Sequence, residues 1–421
     1  MTSKLKSILT IILLMTAGES VFTLPFLLPR IFRPTFLEVF QLDNLQLGTL
    51  YSTYGIIALV SYLLGGTLAD KYDPRKLMGT ALCLTALGGL VLAQFPNFNQ
   101  LQWLYGYWGF STTFLFWSAM IKATRNWGGT SHQGKAFGFL EGGRGTVAAS
   151  IGALGIFIFA LLIPEDVVST SFIEKREAFR TLILYTSAMI MLVGVLVFFF
   201  LENTKQVDKE ANFILNNSFQ TILKVSRFPA VGLLIMIVLC AYCGYKVTDI
   251  LSLYAAEIMM FNEVDAAKVG SYQMYLRPLI CIVIGFAADK SSSSKWLIRG
   301  FGLLLCGALL FASGQVIAPL SGFFIFSLII TAIATYGLRT LYFASIQEGH
   351  IPYAFTGTAV GIISVVGYTP DIFMGPVMGV LLDNYPGLLG HQLVFLLLAI
   401  FAFIGMLASL RFRALINKSH L

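Results

Sequence analysis

Charge is scarce in this sequence. Asp, Glu, Lys and Arg make up 12% of its 421 residues, against roughly 25% in soluble domains. With 57% hydrophobic residues and a mean hydropathy of +0.79, the chain cannot hide its apolar surface in a water-soluble core. Lipid must be part of its solvent. Cysteine is sparse too. Cys83, Cys240, Cys243, Cys281 and Cys306 all lie inside apolar runs, so no disulfide framework is expected. Cys240-Ala-Tyr-Cys243 has the spacing of a redox motif, but inside a membrane helix it reads as small packing residues. The four His lie in or near loops and build no His/Cys metal cluster. There is no phosphate-binding Gly-Lys-Ser/Thr loop, hence no ATP-driven motor of that kind, and no potassium-filter sequence. Neither an enzyme nor a cofactor is expected.

What is present is a succession of long apolar runs. A helix needs about 20 apolar residues to cross the hydrocarbon layer. By that rule twelve spans are expected, near 7–30, 45–69, 77–95, 101–123, 136–163, 180–201, 229–256, 268–288, 296–317, 322–347, 354–383 and 390–411. Backbone polar groups must be satisfied inside lipid, so the fold class is an all-α integral membrane protein. The 36 Phe suit lipid-facing positions, and the 39 Gly allow close helix approach. Pro25, Pro29, Pro278, Pro370 and Pro376 fall inside runs and are expected to kink helices rather than end them. The first run follows Lys4 and Lys6 and shows no small-residue cleavage site, so it reads as a retained helix.

The net charge of +7 does not point to nucleic acid, because the basic residues are scattered among short loops. With the N-terminus in the cytoplasm, most Lys and Arg outside the spans fall on the cytoplasmic side, as the positive-inside rule requires. The longest polar stretch, 202–228, divides the chain into a six-helix half, 1–201, and a second, 229–421. It reads as a cytoplasmic linker with one amphipathic helix around Phe213, Ile214, Phe219, Ile222 and Leu223.

One loop is the most informative stretch. Gly66-Thr-Leu-Ala-Asp70-Lys71-Tyr-Asp-Pro-Arg75-Lys76 is a short, strongly charged turn between two membrane-length runs. A weaker echo, Gly285-Phe-Ala-Ala-Asp289-Lys290, ends the eighth run. Twelve spans, a middle linker and these two loops resemble the major facilitator superfamily, whose signature after the second helix is Gly-x-x-x-Asp-[Arg/Lys]-x-Gly-x-[Arg/Lys]-[Arg/Lys]. Gly66, Asp70, Lys71, Arg75 and Lys76 match it, while Asp73 stands where the family usually has Gly. The resemblance implies two six-helix bundles and alternating access. It also implies a gating role for Gly66, Asp70, Lys71, Arg75, Lys76, Gly285, Asp289 and Lys290, with plain topology as the alternative. Drug:proton exporters of the family share a Gly-rich motif ending Gly-Pro in the fifth helix. That pair is missing here, although Gly375-Pro376 stands in the eleventh.

Charged side chains inside spans are expensive, about 2.5–3.5 kcal/mol each on insertion scales, so each asks for a reason. The candidates set in from the span ends are Glu19 in span 1, Glu141 and Arg144 in span 5, Lys246 and Asp249 in span 7, Arg277 in span 8, Arg339 in span 10 and Asp371 in span 11. The resemblance implies that helices 1, 4, 7 and 10 line a central cavity with 2, 5, 8 and 11 beside them, and every one of these charges falls on those two sets. Lys246 with Asp249, and Glu141 with Arg144, are spaced i, i+3 and can pair locally. Glu141 and Arg144 are also gating candidates. Glu19, Arg277 and Arg339 have no partner on their own helix. Arg offers a planar fork for carboxylate or phosphate. The expected solute is therefore a small organic anion, bound by Arg277, Arg339 and Lys246 with Tyr245, Tyr272 and Tyr275.

Glu19 is the leading proton-coupling candidate, with Asp249 and Asp371 beside it. Other aromatic residues near these charges are Tyr105, Tyr107, Trp108, Trp117, Tyr242, Tyr336 and Tyr342. The expected partners are a small solute, membrane lipids and protons, with no nucleic acid, for a monomer in the inner or plasma membrane. Two other readings stay open. One is proton-coupled efflux of an amphipathic compound such as a siderophore or drug. The other is a non-transporting receptor or lipid-translocating protein. Among anion porters, sugar-phosphate and hexuronate carriers are the branch to test first.

Overall fold

The computed structural model describes residues 3–128, 133–163, 171–202, 225–349 and 356–418. Among the described residues, each of the twelve expected spans contains helix. In the first, α1, Ser3–Ser20 runs through a π-helical turn Thr23–Leu27 into Leu28–Ile31 and Arg33–Phe40. Then come α2 Asn44–Lys71 and α3 Pro74–Leu92. Helix α4 runs Phe98–Phe110, π-helical Ser111–Trp117 and Ser118–Gly128. It is followed by α5 Gln133–Leu162 and α6 Phe172–Phe200. Helix α7 is Pro229–Val247, a 3₁₀ turn Thr248–Ile250, and Leu251–Glu257. Next are α8 Glu263–Asp289, α9 Ser293–Ala312 and α10 Ser321–Glu348. Helix α11 is split into Thr356–Gly367 and Pro370–Asn384, and α12 is Leu388–Lys418. Among the described residues, eight helices are long and apolar enough to cross a membrane alone, and the bent pair in α1 makes a ninth.

The breaks have local causes. In α1 the segments Leu5–Ser20 and Thr23–Ile31 meet at 42°. Pro25 lies in the π turn, and Pro29 and Pro34 stand at the starts of the next two segments, each removing a backbone donor. The first span therefore continues past residue 30 to Phe40 instead of stopping. Pro370 restarts α11. Asp73, the departure from the family's Gly, caps the start of α3: its carboxylate accepts from Arg75 N and pairs with Arg75 Nε at 2.8 Å.

The chain forms two compact units. The first combines Met1–Lys205 with Asp249–Pro278 and Gly375–Asp383. In it α3 lies along α6, α2 along α4, and α1 along α5. The second combines Gln206–Thr248, Leu279–Met374 and Asn384–Leu421. There α9 packs on α10 and α12, and α7 on α10, α11 and α12. Phe311 stacks on Phe395 at 4.3 Å in that unit. The amphipathic helix expected around Phe213–Leu223 lies outside the described residues.

Candidate functional site

In the first unit the bend of α1 and the π turn of α4 bring apolar rings around one arginine. Arg144 of α5 is buried, with its guanidinium carbon 5.7 Å from the Phe22 ring and 5.8 Å from the Trp117 ring. Its Nε faces Glu19 Oε2 at 3.3 Å, and its Nη1 donates to Glu141 Oε1 at 2.7 Å. Glu141 Oε2 accepts from Arg277 Nη2 of α8 at 2.9 Å. Glu19, Arg144, Glu141 and Arg277 thus form one chain of alternating charge with balanced formal charges. Glycines make room for it. A Cβ at Gly18 would lie 3.1 Å from the Arg144 stem, and one at Gly145 would lie 3.2 Å from the Arg277 stem. The i, i+3 pair expected on α5 is present, and it is extended at both ends by partners from α1 and α8.

A second network occupies the end of this unit remote from the Asp70–Lys71 loop. Arg30 pairs with Asp249, both buried, and the Arg30 carbonyl accepts from Ser252 Oγ at 2.8 Å. Arg33 donates to Asn44 Oδ1 at 2.8 Å. Asp383 accepts from the backbone N–H of Asn44 and Leu45, capping α2 from α11. Thr35 donates to Glu263 at 3.2 Å, and Lys175 bridges Glu263 and Glu38. Gly48 and Gly375 meet so closely that a Cβ on Gly48 would lie 2.2 Å from the Gly375 carbonyl oxygen.

In the second unit Lys246 Nζ lies 3.4 Å from Asp371 Oδ1, and Tyr242 OH donates to the same carboxylate at 3.1 Å. The Arg339 guanidinium covers the Tyr245 ring at 3.8 Å and reaches the Tyr242 ring at 6.0 Å. Tyr368 packs edge-on to Tyr242 at 4.8 Å. Helix α7 breaks after Val247, one residue past Lys246, where Thr248 Oγ1 donates to the Tyr245 carbonyl at 2.6 Å. Lys246 and Asp249, spaced so that they can pair locally, also have partners on other helices, Asp371 and Arg30 respectively.

The remaining candidates separate. Tyr272 and Tyr275 are exposed, 54% and 47%, on the same face of α8 as Leu279 and Ile282. Tyr107 OH and Trp108 Nε1 donate to the Leu84 and Thr85 carbonyls and pin α4 to α3. Tyr105 and Tyr336 are core residues. The helical backbone at Gly66, Asp70, Lys71 and Asp289 is described, but the side-chain surroundings of these residues, and of Tyr342, lie outside the described residues. Lys122 Nζ donates to the Ala69 carbonyl at 2.7 Å, placing a cation at the last turn of α2. Lys76 and Lys290 are exposed. A Cβ on Gly285 would lie 4.0 Å from Thr340 Cγ2. Among the described residues no group of His, Cys, Asp and Glu is set to hold a metal.

Sequence reasoning passed over Arg30, Asp383 and Glu263. Arg30 and Asp383 end apolar runs and Glu263 lies between two, where a charge ordinarily reaches water. The available signal was Pro29-Arg30 inside the first run.

The family model described as Major Facilitator Superfamily matches residues 8–373. Inner membrane protein YqcE of Escherichia coli strain K12 is 29% identical over 352 residues, 82% of this chain and 80% of that protein. Inner membrane protein YihN of the same strain is 27% identical over 413 residues, 94% of this chain and 93% of that protein. Among solved structures, a bacterial homologue of the human lysosomal transporter Spinster, inward-facing and occupied, superposes with a TM-score of 0.72. Its identity is 13%, with 99% of this chain and 97% of that chain covered. At that identity the likeness speaks for the fold.

Proposed function

The chain belongs to the Major Facilitator Superfamily of secondary transporters, and from that premise we propose that its solute is a small organic anion. The observation that carries this reading is the pair of cations in the second unit. Arg339 is held against the Tyr245 ring at 3.8 Å, in one cluster with buried Lys246. Asp371 is a carboxylate paired with Lys246 in that cluster. A guanidinium fixed on an aromatic face presents its N–H edge with little entropy left to lose. Arg277 supplies a further guanidinium in the first unit. Tyr272 and Tyr275, exposed on α8, stay in the proposed contact set.

Two six-helix halves, 1–201 and 229–421, joined by 202–228, rock in alternating access. The loop of Asp70, Lys71, Arg75 and Lys76 and its echo at Asp289 and Lys290 serve the cytoplasmic gate. Asp249 moves from the proton-coupling set to the opposite gate, through Arg30. Glu19 and Asp371 remain the proton carriers, since each is tied to a cation that protonation would release. The names of the two relatives support an inner membrane location, and the loop charges support cytoplasmic termini.

The test is thermal stability of the purified protein against gluconate, glucuronate, glucose 6-phosphate, glucose and tetraphenylphosphonium. A ligand at 100 times its Kd stabilises by about 2.7 kcal/mol, which is readily seen. Stabilisation by anions that disappears in Arg339→Ala and weakens in Arg339→Lys is expected. Stabilisation by the lipophilic cation alone would replace this reading with amphiphile efflux.

A further inference from the structure

Glu141 stands between two arginines in the way a bound carboxylate would. It gives one oxygen to each: Oε1 to Arg144 at 2.7 Å and Oε2 to Arg277 at 2.9 Å. The side chains of Arg144 and Arg277 are 8% and 7% exposed, whereas that of Glu141 is 45% exposed. The cations are therefore the fixed members and the anion is the accessible one. Arg144 is held further by Glu19, Phe22 and Trp117, and its stem fits against Gly18. The Arg277 stem fits against Gly145. Beside Glu141 there is slack, because a Cβ on its neighbour Gly142 would meet nothing within 4 Å.

We propose that Arg144 and Arg277 form a carboxylate clamp, and that Glu141 is its built-in occupant, displaced by the carboxylate of the transported solute. This rests on the reading of the solute as an organic anion. The exchange preserves charge: two cations face two carboxylates before and after, with Glu141 turning to water from its half-exposed position. No buried arginine is left without an anion, which would be the costly event. Charge-assisted hydrogen bonds to guanidinium are strong and directional, so the clamp selects a planar, two-oxygen anion. A tethered occupant also lowers apparent affinity. If the clamp is open for roughly 1–10% of the time, apparent affinity falls by the inverse of that fraction.

The experiment follows melting of the full-length protein in detergent during titration with sodium acetate and sodium gluconate, with sodium chloride at equal ionic strength as control. Glu141→Gln removes the charge at nearly constant shape, and Glu141→Ala empties the clamp. If one variant does not fold, the other carries the comparison. Half-saturation by the carboxylates is expected at roughly tenfold or more below that of the unaltered protein. Adding Arg277→Gln to either variant should abolish the response. Half-saturation unchanged by either substitution at Glu141, or an equal response to chloride, overturns the clamp. Arg339→Ala in the otherwise unaltered chain reports separately on the solute class. Anion binding that depends on Arg339 but ignores Glu141 sinks the clamp alone. No response to any anion in any form sinks both. A carboxylate response in Glu141→Ala, beside an unaltered protein stabilised only by lipophilic cations, leaves a structural anion site and overturns its use in transport.

Discussion

Arg30, from the bent continuation of α1, and Asp249, at the break in α7, form an ion pair whose side chains are 6% and 2% exposed. A pair this buried is worth little against an apolar replacement, but removing one partner leaves a charge behind. Arg30→Met or Asp249→Leu alone should each lower stability by about 3–5 kcal/mol. The double variant should recover most of that loss. A double-mutant cycle on thermal or denaturant stability in detergent measures the coupling. Additive losses would show that neither residue depends on the other.

The close approach of α2 and α11 gives a second prediction. A Cβ on Gly48 would lie 2.2 Å from the Gly375 carbonyl oxygen, and one on Gly379 would lie 2.3 Å from Leu45 Cα. Backbone cannot yield as a flexible side chain does. Gly48→Ala and Gly379→Ala should therefore push the helices apart and cost at least about 1–3 kcal/mol. Gly302, inside α9, has open space around it, and Gly302→Ala should be neutral or stabilising by up to about 1 kcal/mol. Equal effects at the three positions would remove the steric account.

Two helix starts are capped by carboxylates from other helices. Asp383 of α11 accepts from Asn44 N and Leu45 N at the start of α2, and Glu348 of α10 accepts from Ser293 N and Ser294 N at the start of α9. Capping satisfies donors that a helix leaves open and places negative charge at the positive end of its dipole. Asp383→Ala and Glu348→Ala should each cost about 1 kcal/mol, with Asp383→Asn milder because the amide oxygen still accepts. Melting temperatures of the three variants check the order.

The fold was legible because lipid imposes its pattern on the sequence. Apolar runs of membrane length mark the helices wherever they occur, and Asp70-Lys71 and Asp289-Lys290 mark where two of them turn. The in-span charges were legible for the same reason, since a lone Arg277 or Glu19 in an apolar run has no bland explanation on its own helix. Their partners were not, because pairing across a bundle depends on rotation and bend. Spacing allowed Lys246 to meet Asp249, but it gave no sign that Lys246 would also meet Asp371 or Asp249 meet Arg30. The π turns at Thr23–Leu27 and Ser111–Trp117, which aim Phe22 and Trp117 at Arg144, left no trace beyond Pro25.

Glu19 carries the last prediction. Its carboxylate faces Arg144 Nε at 3.3 Å, and Arg144 also holds Glu141, so one cation is shared by two acids. Protonation of Glu19 would weaken its contact with Arg144 and leave the contact with Glu141 in place. A transporter driven by protons needs a coupled change of this kind, in which a proton on one group alters how a solute-binding group is occupied. Glu19→Gln keeps an oxygen that accepts from Arg144 but cannot exchange a proton. The variant should fold and retain the anion-induced rise in melting temperature. In proteoliposomes it should still exchange labelled for unlabelled solute across the bilayer, while accumulation driven by a pH gradient is lost. Accumulation that persists in Glu19→Gln would take the proton away from this residue and leave Asp371, bound to Lys246 and Tyr242, as the carboxylate to substitute next.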